Sequence, residues 1–276
     1  MSEKTILITG CSSGIGLCVA RNLQQRGYRV FATARKIADV ETLNTEGLES
    51  LLLDLDDPHS ITAAVEEILT RTNGRLDALF NNGAYGQPGA VEDLSRDVLR
   101  AQFETNLFGW HQLTNLVLPV MRGQGHGRII QHSSVLGFVA LRYRGAYNAS
   151  KYALEGLADT LRLELAGTNI HVSLIDTGPV SSRFRENAYA AYQRNIDPAN
   201  SPHREHYLQM EQRLTTKGPV VPFTLPPEAV LKKVILALES RRPKARYYVT
   251  FPTYLFAFLK RILTDRAMDR ILNRVG

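Results

Sequence analysis

Short apolar runs alternate with longer segments whose apolar positions recur every three or four residues, and this rhythm persists through most of the chain. It predicts βαβ units, with strands paired in parallel and helices covering both faces of the sheet. Residues 5–9 (TILIT) are nearly continuous in apolar character, as a strand buried on both faces must be. Residues 14–26 follow as a helix, residues 28–34 (YRVFATA) as a second strand and 50–53 as a third. Asp57 and Pro58 supply an N-cap and a first-turn proline, after which Ile61, Ala64, Val65, Ile68 and Leu69 fall at helical spacing. Residues 76–81 and 127–133 read as buried strands, joined by a long helix expected from near Ser95 to a stop before Gly123. A second long helix over 146–166, a strand over 170–175 (IHVSLI), a helix over 226–238 and a strand over 246–250 complete the pattern. The fold class expected is α/β: one domain over residues 1–276, with about seven strands in a doubly wound parallel sheet.

The rhythm fails between residues 180 and 224, a polar stretch sprinkled with Phe184, Tyr189, Tyr192, Tyr207, Leu208, Met210 and Phe223. An irregular insertion after a sixth strand is the usual place for a substrate lid, so a loop-like lid is expected there. Residues 251–276 then place Tyr254, Leu255, Phe258, Leu259, Ile262 and Leu263 at helical spacing, with Lys260, Arg261, Arg266 and Arg270 between them. Such an amphipathic extension docks on its own domain or a partner subunit, which is the preferred reading, or lies on an anionic membrane surface.

Composition narrows the partners. The net charge of +6 is concentrated at one end, because residues 241–276 hold nine Lys or Arg against two Asp or Glu. The rest is nearly neutral, so no nucleic-acid partner is expected. Cys11 and Cys18 make no disulfide framework, no signal peptide is visible, and no apolar run approaches the ~18 residues of a membrane span. A cytoplasmic protein with reduced thiols is expected. His203 and His206 (HREH) have ligand-like spacing but no supporting cluster; they are read as solvated loop residues, and no metal is expected. Cys11 is read as a small packing residue.

The chemistry gathers at the ends of the strands. Thr9-Gly10-Cys11-Ser12-Ser13-Gly14-Ile15-Gly16 follows the first strand and opens the first helix. Glycines at 10, 14 and 16 let the backbone turn sharply and approach a pyrophosphate at the positive end of that helix. The second strand ends at Ala34 followed by Arg35 and Lys36, two cations where a carboxylate would grip the ribose 2′-hydroxyl of NAD. This favours the 2′-phosphate of NADP(H). Tyr147 and Lys151 are four apart on a predicted helix and share one face. A cation near a phenol favours its ionised form and suits it to acid–base work. Ser134 ends the fifth strand, where a hydroxyl can hold a substrate oxygen, and Asn106 lies inside a predicted helix where its side chain competes for backbone bonds.

These residues, in order and at these spacings, make the sequence resemble the short-chain dehydrogenase/reductase family across roughly residues 4–238. It is most similar to the branch of retinol and 17β-hydroxysteroid dehydrogenases and a bacterial NADP-dependent aldehyde reductase. The resemblance implies a Rossmann-type fold and a catalytic set of Asn106, Ser134, Tyr147 and Lys151. In that set Tyr147 gives the proton, Ser134 orients the carbonyl, Lys151 lowers the phenol pKa and Asn106 holds a relay water. It also implies cofactor contacts from Gly10, Ser12, Ser13, Gly14, Ile15 and Gly16, from Arg35, Asp54, Leu55, Asn82 and Gly83, from Tyr147 and Lys151, and from Gly178, Val180 and Ser182. Two segments depart from the family pattern: Asn81-Asn82-Gly83-Ala84 has alanine where glycine is usual, and Thr177-Gly178-Pro179 displaces a proline, so adjusted loops are expected. The implied activity is NADP(H)-dependent reduction of an aldehyde or ketone, or the reverse, on an apolar substrate such as a long-chain aldehyde, retinoid or steroid. A homo-oligomer, dimer or tetramer, is expected. The rival readings are a catalytically idle NADP-binding sensor or scaffold, which intact Ser134, Tyr147 and Lys151 argue against, and a sugar-nucleotide epimerase, which the glycine spacing and modest C-terminal length disfavour.

Overall fold

Seven parallel strands run in the order β3-β2-β1-β4-β5-β6-β7 through the computed structural model, which describes residues 3–218 and 220–275. The strands are β1 (Thr5–Ile8), β2 (Arg29–Ala34), β3 (Glu49–Leu52), β4 (Ala78–Asn81), β5 (Gly127–Ser134), β6 (Ile170–Thr177) and β7 (Arg246–Tyr248). Helices α1 (Gly14–Gln25), α2 (Ile37–Thr45), α3 (Pro58–Arg71), α4 (Arg96–Phe103), α5 (Gly109–Gln124), α6 (Gly145–Glu164) and α9 (Glu228–Glu239) fill the crossovers. Alternate side chains of each strand feed two separate cores. Ile6, Ile8, Val30, Ala32 and Phe80 face α1 and α9, while Leu7, Phe31, Leu79 and Ile129 face α3, α5 and α6. Burial on both faces explains why the strands read as continuous apolar runs. Strand order reverses between β1 and β4, which opens a crevice at their C-terminal ends.

Local chemistry sets the helix boundaries. Asp57 accepts a hydrogen bond from the His59 amide at 2.9 Å and Pro58 takes the first turn of α3, as its sequence predicts. Ser95 caps α4. The expected stop before Gly123 is corrected: α5 runs on to Gln124 and closes at Gly125, whose left-handed φ of 74° suits glycine. The single helix expected from Ser95 is also interrupted, because residues Glu104–Phe108 widen into a π segment between α4 and α5.

Two further corrections concern the C-terminal third. The segment expected to be loop-like contains α7 (Phe184–Asn195) and α8 (Arg204–Thr215). Their buried stripes are only Ala188, Ala191 and Tyr192 on one and Tyr207 and Leu214 on the other, too sparse to register as a period. His203 is half-buried against Glu92 and Tyr143 rather than solvated, its Nε2 2.6 Å from Glu92. The tail forms α10 (Phe251–Ile262) and α11 (Asp265–Val275), and it docks on its own domain: Phe256 and Met268 pack against Leu136 and Val139, with Leu259 and Leu263 beside them. Tyr254 and Phe258 face outward. No described helix is long and apolar enough to cross a membrane.

Candidate active site

The turn after β1 leaves no room for side chains. Gly10 has φ 72°, and a Cβ there would fall 2.6 Å from the Gly83 Cα. A Cβ on Gly16 would fall 2.2 Å from the Gly10 carbonyl oxygen. Ser13 precedes α1 in extended backbone without a side-chain cap, and no acidic residue sits in the first turn. The leading amides of α1 are therefore free for an anion. Ser182 borders the same turn, with its Cβ 3.1 Å from where a Gly14 Cβ would lie, and Leu55 reaches the place of a Gly83 Cβ at 3.2 Å. Gly178 packs against Thr250, and Val180 bridges to Leu225. Asp54 receives the Asp56 amide at 3.1 Å at the end of β3. Arg35 extends exposed from the end of β2. The glycine-only turn and the uncapped start of α1 have the shape and polarity to take an anionic group such as a pyrophosphate.

Asn82 ties the strand ends together. Its Nδ2 donates to the Thr9 carbonyl at 2.9 Å, its Oδ1 faces His132 Nδ1 at 2.9 Å, and Thr9 Oγ1 accepts from the Asn82 and Gly83 amides. Burial, reinforced by Lys151, pushes the His132 imidazole down to about 3, so it is a neutral strut. Gly83-Ala84 is accommodated here, since the Gly83 carbonyl accepts from Trp110 Nε1 at 2.8 Å.

Beside that brace lie the residues expected to do chemistry. Ser134 Oγ accepts from the Leu136 amide at 3.1 Å, which leaves its own hydrogen to donate toward the Tyr147 oxygen. Burial pushes the Tyr147 phenol up to about 12, countered by the Ser134 hydroxyl and the Arg144 charge. Lys151, almost fully buried, donates to the His132 carbonyl at 2.7 Å and lies 4.2 Å from the Trp110 ring centre and 5.7 Å from that of Tyr147. Burial brings its ammonium down to about 7 against the opposing pull, first of all, of Glu155. Ser134 and Arg144 draw the phenol down, and Lys151 Nζ is held beside it by the His132 carbonyl. Asn106 sits in the π segment, where an extra residue per turn often marks a functional position. Its amide is engaged with the Tyr85 backbone at 2.9 and 3.2 Å and with Ser150 Oγ at 3.3 Å.

Sequence reading missed five participants. His132 and Trp110 carry no local signal, since only packing brings them to Lys151. Arg144 was visible only as a basic residue one turn before Tyr147. Glu155 and Asp176 had signals: Glu155 is four residues after Lys151 on one helix, and Asp176 is a lone acid in an apolar strand. Over the cleft, the Phe184 ring of α7 stacks edge-on against Tyr147 at 5.3 Å. Helix α8 is fastened by Tyr207, whose hydroxyl accepts the Ala90 amide at 2.9 Å. Cys11 is buried, its thiol pushed up to about 12 by burial, and is inert packing.

Comparison with known proteins agrees with this geometry. The short chain dehydrogenase family pattern matches residues 4–193. The uncharacterized oxidoreductase YbbO of Escherichia coli is 43% identical over 271 residues, covering 98% of this chain and 94% of its own. Human 17-beta-hydroxysteroid dehydrogenase type 1 is 32% identical over 265 residues, 91% of this chain and 78% of its own. A short-chain dehydrogenase from Streptomyces avermitilis superposes with a TM-score of 0.78 at 27% identity, covering 99% of this chain and 97% of that one.

Proposed function

The chain belongs to the short chain dehydrogenase family, and from that premise we propose that it is an NADP(H)-dependent reductase of aldehydes or ketones with an apolar body. The observation that carries this reading is the convergence of Ser134, Tyr147 and Lys151 beside a glycine-only turn and an uncapped helix start. When bound, the nicotinamide cofactor supplies the hydride. Gly10 to Gly16, Asp54, Leu55, Asn82, Gly83, Gly178, Val180 and Ser182 would hold it, and Arg35, exposed at the end of β2, would meet a 2′-phosphate.

The protein's own groups handle the proton. At neutral pH the Tyr147 phenol is fully protonated, as a donor to a carbonyl oxygen must be. Ser134, its oxygen satisfied by the Leu136 amide, is free to donate to the same carbonyl. Lys151, near neutrality, is suited to return a proton after each turnover. The apolar body would lie against Val135, Leu136, Phe138 and Phe184. Phe184 and the lid exclude water from the phenol.

Tyr147→Phe tests the reading. Reduction of aliphatic aldehydes by NADPH should fall about 10²–10⁴-fold, the usual worth of a general acid, with NADPH affinity nearly unchanged. Retention of a tenth or more of wild-type turnover would assign the proton elsewhere.

A further inference from the structure

Helix α10 carries two apolar stripes. Thr253, Phe256 and Ala257 turn inward and are buried. Phe251, Tyr254, Leu255, Phe258 and Ile262 recur at offsets of three, four, seven and eleven, which gathers them on one outward face. Each of these five is between 38% and 60% exposed. Phe223 lengthens the face, with its ring 5.1 Å from that of Phe251. Its backbone holds φ 62°, a left-handed conformation that a bulky aromatic seldom adopts, and the strain turns the ring out to solvent instead of into a core. Single exposed apolar residues are ordinary, but six grouped on one face mark a contact surface.

The charge around this face has one sign. Lys233 of α9 donates to the Tyr254 hydroxyl at 3.5 Å. Arg261 stands two turns beyond Tyr254 on the same flank, and Lys260 is beside it; both are exposed. From Ser240 to Thr264 the chain has six Lys or Arg and no Asp or Glu. The face also adjoins the cleft. Tyr254 meets Tyr248 edge-on at 5.4 Å, Tyr248 meets Phe138 at 6.1 Å, and Phe138 packs in the cluster that includes Tyr147. With twelve residues α10 is about 18 Å long, enough to lie on a bilayer and too short to cross one.

We propose that the outer face of α10, with Phe223, seats the protein on an anionic lipid surface. The apolar side chains enter the boundary between headgroups and acyl chains, and the cations meet lipid phosphates. The rival occupant is a second copy of this chain. A two-fold contact would lay Lys233, Lys260 and Arg261 of one copy close to the same cations of the other, whereas lipid phosphates pair them. The cleft then opens beside the phase in which an apolar substrate is concentrated.

The test is sedimentation of the full chain with vesicles of phosphatidylcholine alone, and of phosphatidylcholine mixed with phosphatidylglycerol. The mixed vesicles should bind the protein at least about tenfold more tightly, and added salt should release it. Lys260→Gln combined with Arg261→Gln should weaken binding to the mixed vesicles at least about tenfold. Phe258→Ala combined with Ile262→Ala should weaken it by about the same factor, with wild-type Tm in both double variants because all four side chains are exposed. Equal binding to neutral and mixed vesicles, no binding to either, or binding that both double variants leave intact overturns the proposal. Sedimentation equilibrium without lipid covers the rival. An oligomer that Phe258→Ala with Ile262→Ala breaks apart would make the face a contact between copies, and overturn the proposal as well.

Discussion

Replacing Asp176 by asparagine should make the protein's stability less dependent on pH. Asp176 is fully buried on β6, and neither of its oxygens finds a donor; Arg246 Nε is 4.0 Å away. Glu155 beside it is already engaged by Ser133 and by Arg246 Nη2 at 2.7 Å. Burial first, then the Glu155 charge, hold the Asp176 carboxyl well above the ordinary carboxylate range. The folded protein therefore keeps a proton that the unfolded chain releases above about pH 3.9. A raised carboxyl pKa contributes its stability in full below the unfolded value and loses it as pH rises toward the folded one. The loss approaches about 1.4 kcal/mol per pH unit over the range in which the folded carboxyl keeps its proton and the unfolded one does not. Asp176→Asn keeps the shape and can donate to Glu155 without titrating. His132, held neutral, changes stability in the opposite direction, but identically in both proteins, so it cancels from their difference. Urea unfolding of both proteins from about pH 5 to about pH 7 should show the variant gaining on wild type as pH rises, with a slope of up to about 1.4 kcal/mol per pH unit. A difference flat to within about 0.5 kcal/mol would show that Asp176 is ionised in the fold and refute the reasoning.

Gly16→Ala should weaken nucleotide binding more than tenfold and lower Tm, because its Cβ would meet a backbone oxygen at 2.2 Å; dye-displacement titration reads the first and calorimetry the second. Arg35→Ser should cut the preference for NADPH over NADH about 10- to 100-fold, the worth of one or two charge-assisted hydrogen bonds, in steady-state kinetics with both cofactors. Phe256→Ala should cost about 3 kcal/mol in urea unfolding, since its ring packs on Leu136 and Val139. Phe258→Ala, 60% exposed two positions along, should cost less than about 0.5 kcal/mol.

Wherever a feature depended on neighbours along the chain, it was legible in the sequence. The strands were, because burial on both faces demands unbroken apolar runs such as residues 5–9; so was the cap at Asp57 and Pro58, because capping is settled within one turn. The glycine turn and the Tyr147–Lys151 spacing belong to this group, since one is backbone geometry and the other the pitch of a single helix. Helices α7 and α8 were not legible, because they bury few side chains each and their apolar period is faint. The π segment at Asn106 was hidden as well, since helix widening answers to packing on both sides rather than to local propensity. The partners of Lys151 lay furthest out of reach. His132 is on β5, Trp110 on α5 and Asp176 on β6, and only parallel strands in register and a helix laid across them bring those three to one ammonium. Which charges meet and which acids keep their protons depend on distance and desolvation, and a linear sequence specifies neither until the sheet has closed around them.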